Sequence, residues 1–342
     1  MTDHSDIEER IRHFQQQLSR FGGSRSPLQL DLDGDRLVVA GPVIYSVPLS
    51  WNFREFLLSY GLGVIGRHVV NAETDKQNPK HSLAKQLMAA RLVTAEGEGT
   101  ARLLGVSCEL DAFIHLSWDL FTVADNVGVQ AALIERLKKP SLYQGARYEV
   151  FVAASFLRGG FAIEFEREDD PTRRHCEFTA TSKSTQKSYS VEAKSRHRTD
   201  SGVEQAGILR LVQKALGKQA DHERITFIDV NLPHDTAEFY RVPWHREVGT
   251  TLSELESRQD PKRLWPQSIV FFTNGTFSTG KFANGRISTT IITAINHPLF
   301  QQQDRRRVET AYPEFGRLCH SVQDLGEPPE DFPGHGTGFV SV

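Results

Sequence analysis

Gly159-Gly160 marks the point in this 342-residue chain where the hydrophobic pattern changes period, and that change limits the folds open to it. Before the glycines, Val150-Phe151-Val152-Ala153-Ala154-Ser155-Phe156-Leu157 carries no charge and lies inside a helix predicted over 143–158. After them, alternating segments near 161–167, 175–181 and 187–194 read as strands, the last two joined by a turn rich in Ser, Thr and Lys. A helix over 202–220 and strands near 224–231 and 268–273 follow. An apolar helix and half-buried strands in this order close a core by laying helices on a sheet, so the expected class is α/β: a mixed β-sheet flanked by helices.

The preceding residues have a different character. Asp3 to Phe21 reads as a polar helix stopped by Gly22-Gly23, and Leu28-Gln29-Leu30-Asp31-Leu32, Asp33-Gly34-Asp35 and Leu37-Val38-Val39 form a hairpin pattern. From Trp51 onwards the periodicity is helical, at 52–60, 81–93, 111–124 and 128–139, and Pro140 ends the series. The organisation expected is a mostly helical N-terminal domain with a small β-hairpin over 1–140, a second domain over 141–325 and an irregular tail over 326–342.

Composition excludes several classes. Hydrophobic residues at 39% and charged residues at 24% describe a globular chain, and no apolar run approaches the ~18 residues of a membrane span. Met1-Thr2-Asp3-His4-Ser5-Asp6 lacks the basic start and apolar stretch of a signal peptide, which places the protein in the cytoplasm as an expectation. Cys108, Cys176 and Cys319 are far apart with no C-x-x-C pairing, the pattern of reduced thiols and not of a disulfide framework, a zinc site or an iron–sulfur site. A net charge of −3 gives no global sign of nucleic-acid binding, so any such surface must be a local concentration of positive charge.

The chemistry is concentrated on two strands. In Ser188-Tyr189-Ser190-Val191-Glu192-Ala193-Lys194, alternation puts Glu192 and Lys194 on one face and Tyr189, Val191 and Ala193 on the other. Cys176-Glu177-Phe178-Thr179-Ala180-Thr181 repeats the pattern with Glu177 on its polar side. Hairpin neighbours lie about 4.8 Å apart, near enough for Glu177 and Glu192 to converge on one divalent cation. A hard ion, Mg²⁺ or Mn²⁺, relieves their repulsion, polarises a phosphate oxygen and acidifies a bound water, while Lys194 orients that water and stabilises phosphate charge. Glu149, at the edge of the apolar helix, meets the same cluster if it turns inward.

A helix with Glu149, a strand with Glu177-Phe178, a strand with Val191-Glu192-Ala193-Lys194 and a following helix resemble the restriction-endonuclease-like, or PD-(D/E)XK, nuclease superfamily over about 130 residues. The resemblance implies a restriction-endonuclease-like core that hydrolyses phosphodiester bonds of nucleic acid, DNA in the first instance, as an effector in defence or repair. It implies Glu177 and Glu192 as Mg²⁺ (or Mn²⁺) ligands, Lys194 as the group assisting the water, and Glu149 as support for a metal or a proton transfer. Glu177 stands where the family more often has Asp, and Asp169 or Asp170 beside Pro171 is an alternative first acid in a segment that reads as a turn.

Other features weigh against a literal reading of motifs. Asp260-Pro261-Lys262 also fits D/E-x-K, but its proline excludes a central strand. Glu192 and Lys194 are also compatible with an exposed cross-strand ion pair, Glu149 with a surface carboxylate near a helix start, and Glu164 and Glu166 with a solvated strand face. On helix 202–220, Arg210, Lys214 and Lys218 recur every four residues and Gln213 lies among them, either a phosphate-holding stripe or a solvated face. His175 and His197 have no partner at metal-ligand spacing. The readings that compete with the nuclease are a catalytically inactive module of the same fold that binds nucleic acid or protein, and a structural partner in a larger assembly; a homodimer or a partner subunit is compatible with each.

Overall fold

A computed structural model describes residues 12, 15–16, 18–67, 69, 71, 81–84, 86, 88, 108–166, 175–199, 202–203, 207–231, 243–260, 264–275, 288–301 and 305–333. Most of the helix expected over 81–93, the start of the one over 3–21, and Asp169, Asp170 and Asp260-Pro261-Lys262 as a unit lie outside the described residues.

The first sheet is small and antiparallel. β1 (Gln29–Leu32) and β2 (Asp35–Ala40) meet through Asp33-Gly34, both at positive φ (51° and 91°), the backbone that a two-residue hairpin of this twist requires. The local pattern predicts these two strands alone; β3 (Val43–Pro48) extends them to a sheet of order β1-β2-β3. The inner face, with Val38, Ala40 and Val47, packs on α1 (Phe53–Ile65) and α2 (Cys108–Asn126). Asn52 starts α1 with a capping box, its side chain accepting the Glu55 N–H at 2.9 Å while Glu55 accepts the Asn52 N–H at 2.8 Å. Then come α3 (Ala131–Leu137) and α4 (Tyr143–Arg158), the latter matching the predicted helix 143–158.

The larger sheet has six strands, in the spatial order Ser288–Ile295, Ser268–Gly275, Glu223–Asp229, Ser188–Ser195, Phe178–Ser182, Phe161–Phe165. β4 (Phe161–Phe165), β5 (Phe178–Ser182) and β6 (Ser188–Ser195) form an antiparallel meander, and β9 (Glu223–Asp229) and β10 (Ser268–Gly275) add in parallel to β6. The short pair β7 (Arg198–Thr199) and β8 (Gly202–Val203) stands apart, so the helix expected from 202 starts later, as α5 (Ile208–Leu216). Among the described residues α6 (Pro243–Ser257), β11 (Ser288–Ile295), α7 (Pro298–Gln301), α8 (Arg305–Ala311) and α9 (Glu314–Gln323) follow, none of them predicted by the sequence pattern.

Helices cover both faces, as the α/β expectation requires. Tyr189, Val191, Ala193, Phe227 and Phe271 pack on one side against Phe151, Val152 and Phe156 of α4 and Phe315 and Leu318 of α9. Ile228, Val270 and Phe272 pack on the other against Val212 and Leu216 of α5 and Trp244 and Val248 of α6. α4 also contributes Tyr143, Ala146 and Val150 to the core of the first sheet, and Arg147 and Arg158 of α4 pair with the buried Asp119 of α2 at 2.7 and 2.6 Å. Phe332, from the segment expected as an irregular tail, is buried in that first core against Phe53 and Phe56. No described helix is long and apolar enough to cross a membrane.

Candidate functional site

β6 carries the site because its alternation is resolved by two different neighbours. Its apolar residues enter the α4 layer, and Glu192 and Lys194 face the α5 side, with Glu192 opposite Thr226 and Lys194 opposite Ile228 on β9. Glu192 is 0% exposed, so it is neither a surface carboxylate nor half of a solvated ion pair. Burying it is tolerable only with a compensating charge, and Lys194 supplies one by pairing with Glu192 Oε1.

Glu177 arrives by a route the alternation argument did not foresee. Pairing of β5 with β6 ends at Phe178–Val191, so Glu177 lies one residue before the regular strand, its N–H donating to the Val191 carbonyl at 2.9 Å. One step further in that register would set Glu177 against Glu192, and Lys194 Nζ donates to Glu177 Oε1 at 2.9 Å. The ammonium therefore sits between the two acids. It also donates to the Ala193 carbonyl at 3.1 Å, placing a third oxygen around the same point. Lys218, just beyond α5, lies 4.0 Å from Glu192 Oε1.

Electrostatics follow from this burial. Glu192 is pushed up to about 7 by burial first and by Glu177 second, against the pull of Lys194 and Lys218. Burial opposes the charge on Lys194, yet Glu192 and Glu177 outweigh it and hold the lysine above its ordinary value. Glu149 is also raised to about 7, by burial and then by Glu177, with Arg136 and Lys194 opposing. It therefore shares the field of the cluster, while both its oxygens are held by Arg136 of α3 at 2.8 and 2.6 Å.

The remaining candidates separate. Lys218 reaches Glu192; Arg210 and Lys214 lie exposed on the outer face of α5, and Gln213 is half-buried between them. Two residues beyond the predicted set are also paired or buried nearby: Arg136 at Glu149, and Asp229 beside Ser195, on the sheet face opposite Glu192 and Lys194. Arg136 fixes the orientation of Glu149, and no local pattern signals a pair that is joined only when α3 folds back on α4. Asp229 ends β9 beside Ser195, fully buried and pushed up to about 7 by that burial, accepting from Ser195 Oγ at 3.2 Å and from the Gly275 N–H at 3.2 Å. An acid closing the run Ile225-Thr226-Phe227-Ile228 was its visible signal.

Among the described residues, no three His, Cys, Asp or Glu side chains form a ready metal-ligand group. The donors that fit a hard cation are the two carboxylates and the Ala193 carbonyl, and Glu192 Oε2 is buried with no hydrogen-bond partner. An orphaned carboxylate oxygen in a water-poor position is what a cation or a proton would satisfy. No family model, curated protein or solved structure matches the chain.

Proposed function

We propose that the protein is a metal-dependent nuclease with a restriction-endonuclease-like core, hydrolysing phosphodiester bonds in nucleic acid, DNA in the first instance. The observation that carries this reading is the convergence of Glu177, Glu192 and Lys194 on one point, with Glu192 fully buried and one of its oxygens unpartnered. The order α4, β4, β5, β6 and, after the short β7–β8 pair, α5 supports it, since the resemblance rests on a helix with Glu149, a strand with Glu177-Phe178, a strand with Val191-Glu192-Ala193-Lys194 and a following helix.

Glu177, Glu192 and the Ala193 carbonyl are the groups that would hold Mg²⁺ or Mn²⁺, and the ion when bound supplies Lewis acidity at a phosphate oxygen and acidifies a water. Lys194, whose ammonium lies between Glu177 and Glu192, would orient the attacking water and donate to phosphate charge as it grows. Lys218 adds a second positive group on the same side. Glu149, with a proton affinity near neutrality and its carboxylate oriented by Arg136, is suited to take and return a proton at the rim. Arg210 and Lys214 offer the exposed charge that would follow a nucleic-acid backbone.

A second reading has one specific observation in its favour. Lys194 bridges both acids and Arg136 takes both oxygens of Glu149, so each acid is charge-paired by the chain's own cations, as in an inactive module of the same fold. Cleavage of labelled single- and double-stranded DNA and RNA with Mg²⁺, Mn²⁺ or EDTA, in wild type, Lys194→Ala and Glu192→Ala, decides between them. Metal-dependent cutting lost in both variants supports the enzyme; cutting that survives both refutes the site. Absence of cutting together with absence of Mn²⁺ binding by calorimetry transfers the reading to the inactive module.

A further inference from the structure

The outer face of the first sheet carries a run of apolar side chains with no layer packed on it among the described residues. Leu30 pairs with Leu37 and Val39 with Ile44, and the Val39 N–H donates to the Leu28 carbonyl at 2.9 Å. Alternation therefore gathers Leu28, Leu30, Leu32, Leu37, Val39 and Ile44 on one side, opposite the side on which Val38, Ala40 and Val47 enter the core. Leu28 is 71% exposed, Leu30 59%, Leu32 51% and Ile44 65%, while Leu37 and Val39 are half-buried. Scattered apolar residues on a surface need no explanation; six on one face of one sheet form a contiguous patch, which marks an interaction site.

We propose that this face is the interface of a homodimer, in which two copies of the chain pack their three-stranded sheets face to face about a two-fold axis. Area favours this occupant. The six side chains present on the order of 400 Å² of apolar surface, and at an apolar share of about 60% that corresponds to an interface of roughly 700 Å² per partner, close to the ~800 Å² of a standard specific contact. Charge favours it as well, because a two-fold contact sets the same patch against itself and like charges would meet. None of the six residues is charged, and Asp35, the acid on that side, stands at the turn end where Ser46 Oγ donates to it at 2.8 Å. Two such faces stack at about 10 Å as the halves of a sandwich, interdigitating Leu, Ile and Val. The inference is independent of the proposed chemistry, which lies on the other sheet.

Sedimentation equilibrium of the full chain across the micromolar range tests it. Wild type is expected at twice its 38.5 kDa chain mass, with a Tm that rises with protein concentration. Leu30→Lys and Ile44→Lys, both at exposed positions, are expected to raise the dimer dissociation constant by about 100-fold or more with far-UV circular dichroism unchanged, because each would bury an unpaired ammonium. Leu30→Met keeps the apolar surface and is expected to keep the dimer. A wild-type chain that is monomeric at every concentration, with a Tm independent of concentration, would overturn the proposal, as would a dimer indifferent to both lysines.

Discussion

Replacing Glu192 by Gln is expected to make the folded protein more stable, and by an amount that grows with pH. Glu192 is fully buried and held near 7, whereas an unfolded glutamate ionises near 4.5. Below 4.5 both states are protonated and the side chain imposes no penalty. As pH rises the unfolded chain gains from ionising before the folded one does, and stability is lost progressively until the folded group also ionises near 7. Linkage between these two values gives a penalty of about 1 kcal/mol at pH 5.5, rising to about 3 kcal/mol above pH 8. Gln keeps the shape and removes the ionisation, so Glu192→Gln should recover that amount, a Tm increase of about 3–6 °C at pH 8.5 and of about 1–3 °C at pH 5.5 for a chain of this size. If the proposed metal site holds, the same variant should also lose the stabilisation expected from Mg²⁺ or Mn²⁺ in wild type, which at a hundred times Kd is about 2.7 kcal/mol. Differential scanning calorimetry at several pH values, with EDTA and then with metal, reads both effects. A variant less stable than wild type at pH 8.5, or a difference that shrinks as pH rises, would refute the account of a buried carboxylate held against its charge.

The other cluster residues give separate signatures. Lys194→Met leaves Glu177 and Glu192 facing each other, so stability at pH 8 should fall by about 3 kcal/mol in urea titrations and be restored in part by Mn²⁺, while cleavage falls about 100-fold or more. Arg136→Leu removes the guanidinium that opposes the raised pKa of Glu149; that pKa should rise further, shifting the acidic limb of a cleavage–pH profile upwards and costing about 2 kcal/mol at pH 8 that disappears below pH 5. Arg210→Ala with Lys214→Ala should leave metal binding unchanged and reduce the salt dependence of nucleic-acid binding by up to about one unit of slope per lost phosphate contact, measured by fluorescence anisotropy. Phe332→Ala should destabilise by about 3–5 kcal/mol, because the ring fills a site between Phe53 and Phe56; a near-neutral result would show that this segment leaves the core in solution.

Where a local pattern has a single structural solution, the chain's letters sufficed. Tyr143–Arg158 is helical because an apolar run with helical period is stopped by Gly159-Gly160, and Gly160 takes the positive φ of 88° that glycine permits. β6 was legible in its alternation, and with it the shared direction of Glu192 and Lys194. The elements missed have weaker local signals: β11 lies between polar segments, and β3 follows β2 across a turn at Gly41, φ 58°, that a two-strand hairpin pattern does not include.

Local order along the chain settles which residues share a face, since period and chirality act within a few residues. How deeply each face is buried, and what meets it, depends on the closed layers. Packing of α5 and β9 over β6 turned Glu192 from a strand residue into a fully buried acid near 7, and the folding of α3 onto α4 gave Glu149 its guanidinium partner. The same closure brought Phe332 to Phe53 across most of the chain's length. Burial and charge pairing depend on residues far apart in sequence, so their magnitudes are set only when the layers close.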